Sequence, residues 1–515
     1  MSRVPARAAV ATALAAGALL SFASSPALSA PTDTITIAAS SAPISLDPAK
    51  NGNTADLQLY MDLAYEPLIS LAPDGSFKPA LATSWKYGPG NKSFDLTLRP
   101  NVKFSDGTPL TADAVVQSIN HEKTANGPVA VYVNVIKDAT ATGPLTVHLD
   151  LVEPDPDVPL VLTQRMLIGD IVSPKASADP TVLATDTAGA GPYMLDSANT
   201  VSGDHYTYVP NPNYYDQSAI HFKTFTIKVI TNPDTALNAL KSGQIAYAQG
   251  SSTTAPQAQA AGLAVYSTLS SWYGALLFDR GGTVDKPLKS QLVRQALNYA
   301  TDRVGITKAL FGKYGRPSDE ISLPGYETAG YDPKMNNFYA YNLTKAKALL
   351  AKAGYAKGFT LHMGGTPNFG NGVAMAQALA SSWAKIGVKV KILSYPTVNQ
   401  IVAPWAGKKL PIVNAQYDGQ PMYIEQGQAL APDAGLFNPF KSKDAKLSAL
   451  IAKAKTAVGA GAETKAWNAV EDRIVTLAWF VPVASGSYVY FADKKLQGIG
   501  LSTTSFGPDP VLWHF

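Results

Sequence analysis

Ser382-Trp383-Ala384-Lys385 spells a nucleophile close to a possible base. A Ser-x-x-Lys pair can carry acyl transfer, with the serine hydroxyl attacking a carbonyl and the lysine taking its proton. Lys241-Ser242-Gly243 matches the Lys-Thr/Ser-Gly element that accompanies such pairs, but the order is reversed, because Ser-x-x-Lys comes first in those enzymes. Both pieces also have a plainer explanation. Lys241 ends a short helix stopped by Gly243, and Trp383 belongs to an apolar helical stripe. No Gly-x-Ser-x-Gly elbow occurs. The six His (121, 148, 205, 221, 362 and 514) are scattered without a His-x-x-x-His pair, and Cys is absent, so no protein-built metal site is expected. Phosphate chemistry has no carrier either: there is no Gly-x-x-x-x-Gly-Lys-Ser/Thr loop, and Gly189-x-Gly191 lacks a third glycine.

Capture without catalysis asks for less: a cleft, aromatic walls and a few oriented polar groups. The chain holds 24 Tyr and 7 Trp. Trp272 and Tyr273 read either as a pocket wall or as core packing.

The elements that would position such groups are legible. Ile35, Ile37 and Ala39 alternate as a strand, as do Phe94, Leu96 and Leu98. Thr111 can cap a helix through Val115 and Ile119, with Asp113 in its first turn. Residues 222–230 alternate as a strand, and Asn232 to Leu240 form a short helix. Leu292, Ala296 and Tyr299 share one helical face. Leu343, Ala346 and Leu350 define a helix closed by Gly354. Phe359, Leu361 and Met363 alternate; Ala376, Leu379, Trp383 and Ile386 make a stripe ending at Gly387; Val388, Val390 and Ile392 alternate again. That is a parallel strand–helix–strand unit.

At 515 residues, with 46% hydrophobic and 16% charged residues, the chain is globular and large enough for about three domains. The formal charge of +4 is too small to imply nucleic-acid or membrane-surface binding. Arg3 and Arg7 precede an apolar run, Ala8 to Leu20, and a small-residue tract, so residues 1–29 are expected to be a secretory signal peptide. With no Cys there is no disulfide and no lipid-modified anchor, which favours a freely diffusing periplasmic protein.

Several phrases, taken in order, resemble the peptide/nickel-type solute-binding proteins of ATP-binding-cassette importers (extracellular solute-binding family 5, cluster C). They are Tyr65-Glu66, the run Pro79-Ala80-Leu81-Ala82-Thr83-Ser84-Trp85, and the stretch from Leu98-Arg99 through Val102-Lys103-Phe104-Ser105-Asp106-Gly107-Thr108-Pro109-Leu110. Gly189-Ala190-Gly191-Pro192-Tyr193 and residues 292–303 continue the match. Ala114 stands where the family's phrase has Asp, and Gly243-Gln244-Ile245-Ala246 lacks the acids of its Gly-Glu-Ile-Asp.

The resemblance implies an α/β, bilobal type II (Venus-flytrap) fold with an extra inserted domain. One lobe is assembled from 30–71, 189–267 and 478–515; 72–188 form the insert; 268–477 form the second lobe. Crossings near Ser267 and Leu477 act as hinges. The implied function is capture of a di- or oligopeptide, or of an opine, sugar-derived or nickel-chelate solute, by a monomer that hands it to membrane permease and ATPase subunits. By resemblance, Asp418 in Asn414-Ala415-Gln416-Tyr417-Asp418-Gly419 pairs with a ligand α-amino group; the alternative is a plain Asp-Gly turn. The Trp of the family's Gly-Trp-x-x-Asp is Ala415 here, a loss that Tyr417, Tyr423 or Trp405 could cover. The Ser41-Ala42 loop is expected to line the cleft.

Overall fold

The computed structural model describes residues 33–515 except 326–329, 367–371, 397, 426–429, 432–436, 458 and 502–506; the expected leader lies outside them. No described helix is long and apolar enough to cross a membrane.

Asp33–Ala39 runs parallel to Phe222–Val229, which is flanked by antiparallel His205–Pro210 and then Tyr193–Leu195. Side chains alternate across a strand, and Ile35, Ile37 and Ala39 are the ones buried. Pro233–Lys241 follows. Its Asn232 cap accepts the Thr235 N–H at 2.9 Å, and Gly243 beyond its end takes the left-handed φ of 72°.

Between these strands the chain builds a separate antiparallel sheet, in the order Ala82–Tyr87, Ser93–Leu98, Thr146–Leu151 and Ile136–Gly143. Phe94, Leu96 and Leu98 supply its buried face. Ala112–Ala125 packs on it, started by Thr111, whose hydroxyl accepts the Ala114 N–H at 3.1 Å.

The largest sheet runs Tyr247–Gly250, Phe480–Ala492, Ala264–Leu277, Ile412–Asp418, Phe359–Gly365, Val388–Ser394, with Gly315–Pro317 added on Phe480–Ala492. Phe359–Gly365 and Val388–Ser394 are parallel, and Gly372–Ala384 between them buries Met375, Ala376, Leu379 and Trp383. This is the strand–helix–strand unit expected from periodicity. In Gln291–Ala300 the buried apolar face is Val293, Ala296, Leu297 and Ala300, so the stripe is rotated from the Leu292–Tyr299 face expected above. Packing against Leu343–Lys352, Ala460–Leu477 and Gly372–Ala384 decides that rotation.

Two long strands join the halves. Ala264–Leu277 and Phe480–Ala492 lie antiparallel from Ala264 opposite Ala492 to Leu276 opposite Phe480. One end is bordered by Tyr247–Gly250, the other by Ile412–Asp418. Register shifts fall between Leu269 and Ser271 and between Tyr273 and Gly274. At the first shift, the Ser270 hydroxyl accepts the Tyr488 N–H at 3.1 Å, so a side chain takes over a backbone acceptor's part. At the second, a Cβ on Gly274 would lie 2.1 Å from the Val481 carbonyl oxygen, which explains the glycine.

Candidate ligand-binding site

Asp418 ends its strand directly opposite Ser271, with Tyr417 opposite Trp272 and Gln416 opposite Tyr273. The register brings chemistry with it. The Ser271 hydroxyl donates to Asp418 Oδ1 at 2.5 Å, and the Tyr488 hydroxyl donates to the same oxygen at 2.9 Å. Gln416 Nε2 donates to the Ser271 hydroxyl at 3.3 Å, bracing the donor. Burial pushes the Asp418 carboxyl above its ordinary pKa, while the two hydroxyls and the Arg165 charge pull it back. A carboxylate with one oxygen held by two hydroxyls is a fixed acceptor for a cationic donor.

A segment distant in sequence reaches this point. Arg165 Nη2 donates to the Gly419 carbonyl, and the Gly419 N–H donates to the Ser270 carbonyl at 2.7 Å. The Arg165 loop is braced: Gln58 Nε2 and Asn53 Nδ2 donate to its carbonyl at 2.9 and 3.3 Å. The Gln164 amide is bonded to both the N–H and the C=O of Leu71. Lys455 and Glu153, also far apart in sequence, form an ion pair at 2.6 Å. Beside the first strand, Asp56 accepts from the Ser40 N–H at 2.7 Å and from its hydroxyl. Burial raises the Tyr490 hydroxyl's pKa, and the charges of Asp56 and Asp418 raise it further.

The expected site residues separate into groups. Asp418 and Tyr417 stand at the junction, and Tyr417 is half-buried with its ring 5.2 Å from Phe437. Ser41 is exposed, its carbonyl accepting from Tyr60 at 2.9 Å, and Ala42 is half-buried against the larger core. Trp405, Trp272 and Tyr273 are core side chains rather than exposed walls. Trp405 is 2% exposed and stacks on Phe278 at 5.4 Å. Trp272, 1% exposed, meets Phe480 edge-on, whereas Tyr273 meets Phe311. Neighbouring residues on a strand face opposite sides, and here both sides are covered by packed elements. Tyr423 falls in Met422–Glu425, and its side chain lies outside the described residues.

Arg165, Ser271, Tyr488 and Asp56 were not anticipated. A charge inside the apolar stretch 158–172 was a readable signal for Arg165. Ser271 had none, because its partner lies 147 residues away.

The acyl-transfer motif does not assemble. Ser382 is 4% exposed and its hydroxyl faces the Asp302 N–H at 3.4 Å, while Lys385 donates to the Tyr341 hydroxyl at 3.2 Å. The Ser242 hydroxyl donates to the Ala239 carbonyl at 3.1 Å, closing its helix. Among the described residues no group of three or more His, Asp or Glu could hold a metal ion.

Known proteins align with this architecture. The sequence model described as bacterial extracellular solute-binding proteins, family 5 Middle, matches residues 76–428. The glutathione-binding protein GsiB of Salmonella typhimurium (strain LT2) is 28% identical over 399 residues, which is 73% of this chain and 72% of that protein. The probable D,D-dipeptide-binding periplasmic protein DdpA of Escherichia coli (strain K12) is 28% identical over 381 residues, 70% of each. In structure, the periplasmic binding protein DppA of Helicobacter pylori in complex with the peptide STSA superposes with a TM-score of 0.77 at 21% identity, covering 94% of this chain and 98% of that one. The fold is that of the type II periplasmic binding proteins.

Proposed function

The chain belongs to the family 5 bacterial extracellular solute-binding proteins, and on that premise we propose that it holds a short peptide between its halves, with Asp418 as the ammonium anchor. Its role is to capture a small solute outside the cytoplasm for an ATP-binding-cassette importer, and its family is a ligand-binding transport component. In this proposal, 30–71, 189–267 and 478–515 form one lobe, 72–188 the insert and 268–477 the other lobe. The protein acts as a periplasmic monomer after removal of residues 1–29, and its closed form docks on the permease.

The observation that carries the proposal is the Asp418 carboxylate, braced by Ser271 and Tyr488 where the long strands meet, and approached from the other half by Arg165. A ligand there touches both halves, so it favours the closed arrangement by its differential affinity for that state. The names of the relatives that bind glutathione and a D,D-dipeptide support a peptide-like ligand. The test is calorimetric titration of ligand-stripped protein with di- and tripeptides, alongside solution scattering. Saturable heat with a smaller radius of gyration supports the reading; steady turnover of any of these peptides refutes it.

A further inference from the structure

We propose that the cavity between Arg303–Phe311, Gly315–Pro317 and residues 331–341 is a second ligand site, which takes a small aromatic carboxylate on Arg316. None of its residues takes part in the Asp418 site, so the inference goes beyond the reading above.

The cavity has a volume of about 270 Å³, and its charges are matched except one. Asp302 caps Arg303–Phe311, accepting the Gly305 N–H at 2.9 Å, so its charge is set against the positive end of that helix. Arg303 is buried, donates to the carbonyls of Asn298 at 2.9 Å and Ser318 at 3.0 Å, and lies 2.9 Å from the Asp319 carboxylate. Arg316 has no such partner. It is half-buried, and among the described residues its side chain joins no hydrogen bond and no ion pair. Strand pairing opposite Ser485 fixes its backbone. A half-buried cation without a counter-charge is costly, and a planar carboxylate matches the guanidinium fork. The walls decide the rest of the ligand. The Tyr331 ring lies 5.8 Å from the Arg316 guanidinium carbon, and its hydroxyl accepts from Asn336 Nδ2 at 3.0 Å. Tyr341 and Val304, 44% and 67% exposed, present apolar surface to the same cavity. A flat ring suits such walls. Asp319 is buried and no hydrogen bond reaches its Oδ1, so its carboxylate keeps acceptor capacity for a ligand hydroxyl.

The experiment titrates the ligand-stripped protein, lacking only its expected leader, with para-hydroxybenzoate, its neutral analogue para-hydroxybenzamide and inorganic phosphate in a calorimeter. Arg316→Gln is measured beside the wild type. Wild type is expected to bind the acid saturably, at least about tenfold more tightly than the amide. Arg316→Gln should bring that ratio close to one by weakening the acid. Excess L-alanyl-L-alanine should leave the acid's affinity unchanged, because the peptide goes to the Asp418 site. Heat that does not saturate, equal binding of acid and amide, or a ratio unchanged in Arg316→Gln overturns the proposal. Displacement of the acid by the dipeptide overturns it too, since the acid then sits at the Asp418 site. Phosphate bound as tightly as the acid overturns the assignment to an aromatic carboxylate. The wild-type ratio and the competition decide where the variant does not fold. Absence of dipeptide binding refutes the Asp418 reading alone; the acid-to-amide ratio still decides this one.

Discussion

Replacing Asp418 by Asn isolates charge from shape. The amide keeps an oxygen where Oδ1 accepts from Ser271 at 2.5 Å and Tyr488 at 2.9 Å, so the strand end should hold. What disappears is the negative charge facing a ligand ammonium. A hydrogen bond to a charged group contributes about 1.5–3 kcal/mol. The carboxylate is half-buried and its Oδ1 is held by two hydroxyls, which places the loss toward the upper part of that range. A loss of about 2–3 kcal/mol weakens the dissociation constant roughly 30- to 140-fold. Calorimetry at neutral pH with the best-binding dipeptide measures it, with circular dichroism as the check on folding. The pH dependence adds a sign. Because burial holds the Asp418 pKa above that of an ordinary aspartate, wild-type affinity for an ammonium should fall as pH drops through that raised value. Asp418→Asn should lack this dependence. Equal affinities within twofold, or the same pH profile in both proteins, would refute the reasoning.

Gly274→Ala puts a Cβ 2.1 Å from the Val481 carbonyl oxygen, so the two joining strands must part; a loss of about 3 kcal/mol in urea unfolding is expected. Trp405→Ala removes a ring stacked on Phe278 in the core and should cost about 3–5 kcal/mol of stability. Glu320 is buried near Glu471, and burial with that neighbour raises its pKa from 4.5 to about 9. Below pH 4.5 native and unfolded chains both hold the proton; above it the unfolded chain releases it first, so this group's contribution to stability falls as pH rises toward 9. Glu320→Gln should flatten that slope and raise the thermal midpoint at pH 8 by about 1–3 °C, read by calorimetry at pH 5 and 8.

Local chemistry was legible in the chain itself. The Thr111 cap, the alternation at Ile35 and Phe94, and the Asn232 start and Gly243 stop are decisions made within a few residues, and the structure keeps them. The family phrases carried the fold class for a related reason: turns, caps and strand starts recur as ordered words. Even there, a helix's rotation was open, and Gln291–Ala300 turned its buried face to Val293 and Leu297 once neighbours closed on it.

The candidate site was legible only in part. Asp418 was visible as a position, but its partners depend on strand register, which pairs Ser271 with a residue 147 places away. Trp272 and Trp405 are buried in the larger core, a placement the sequence left open because an aromatic side chain suits a cleft and a core equally well. Arg165 announced only that a charge interrupts an apolar run. Which carbonyl it meets was decided by tertiary packing between segments 254 residues apart, a long-range fact that no local pattern encodes.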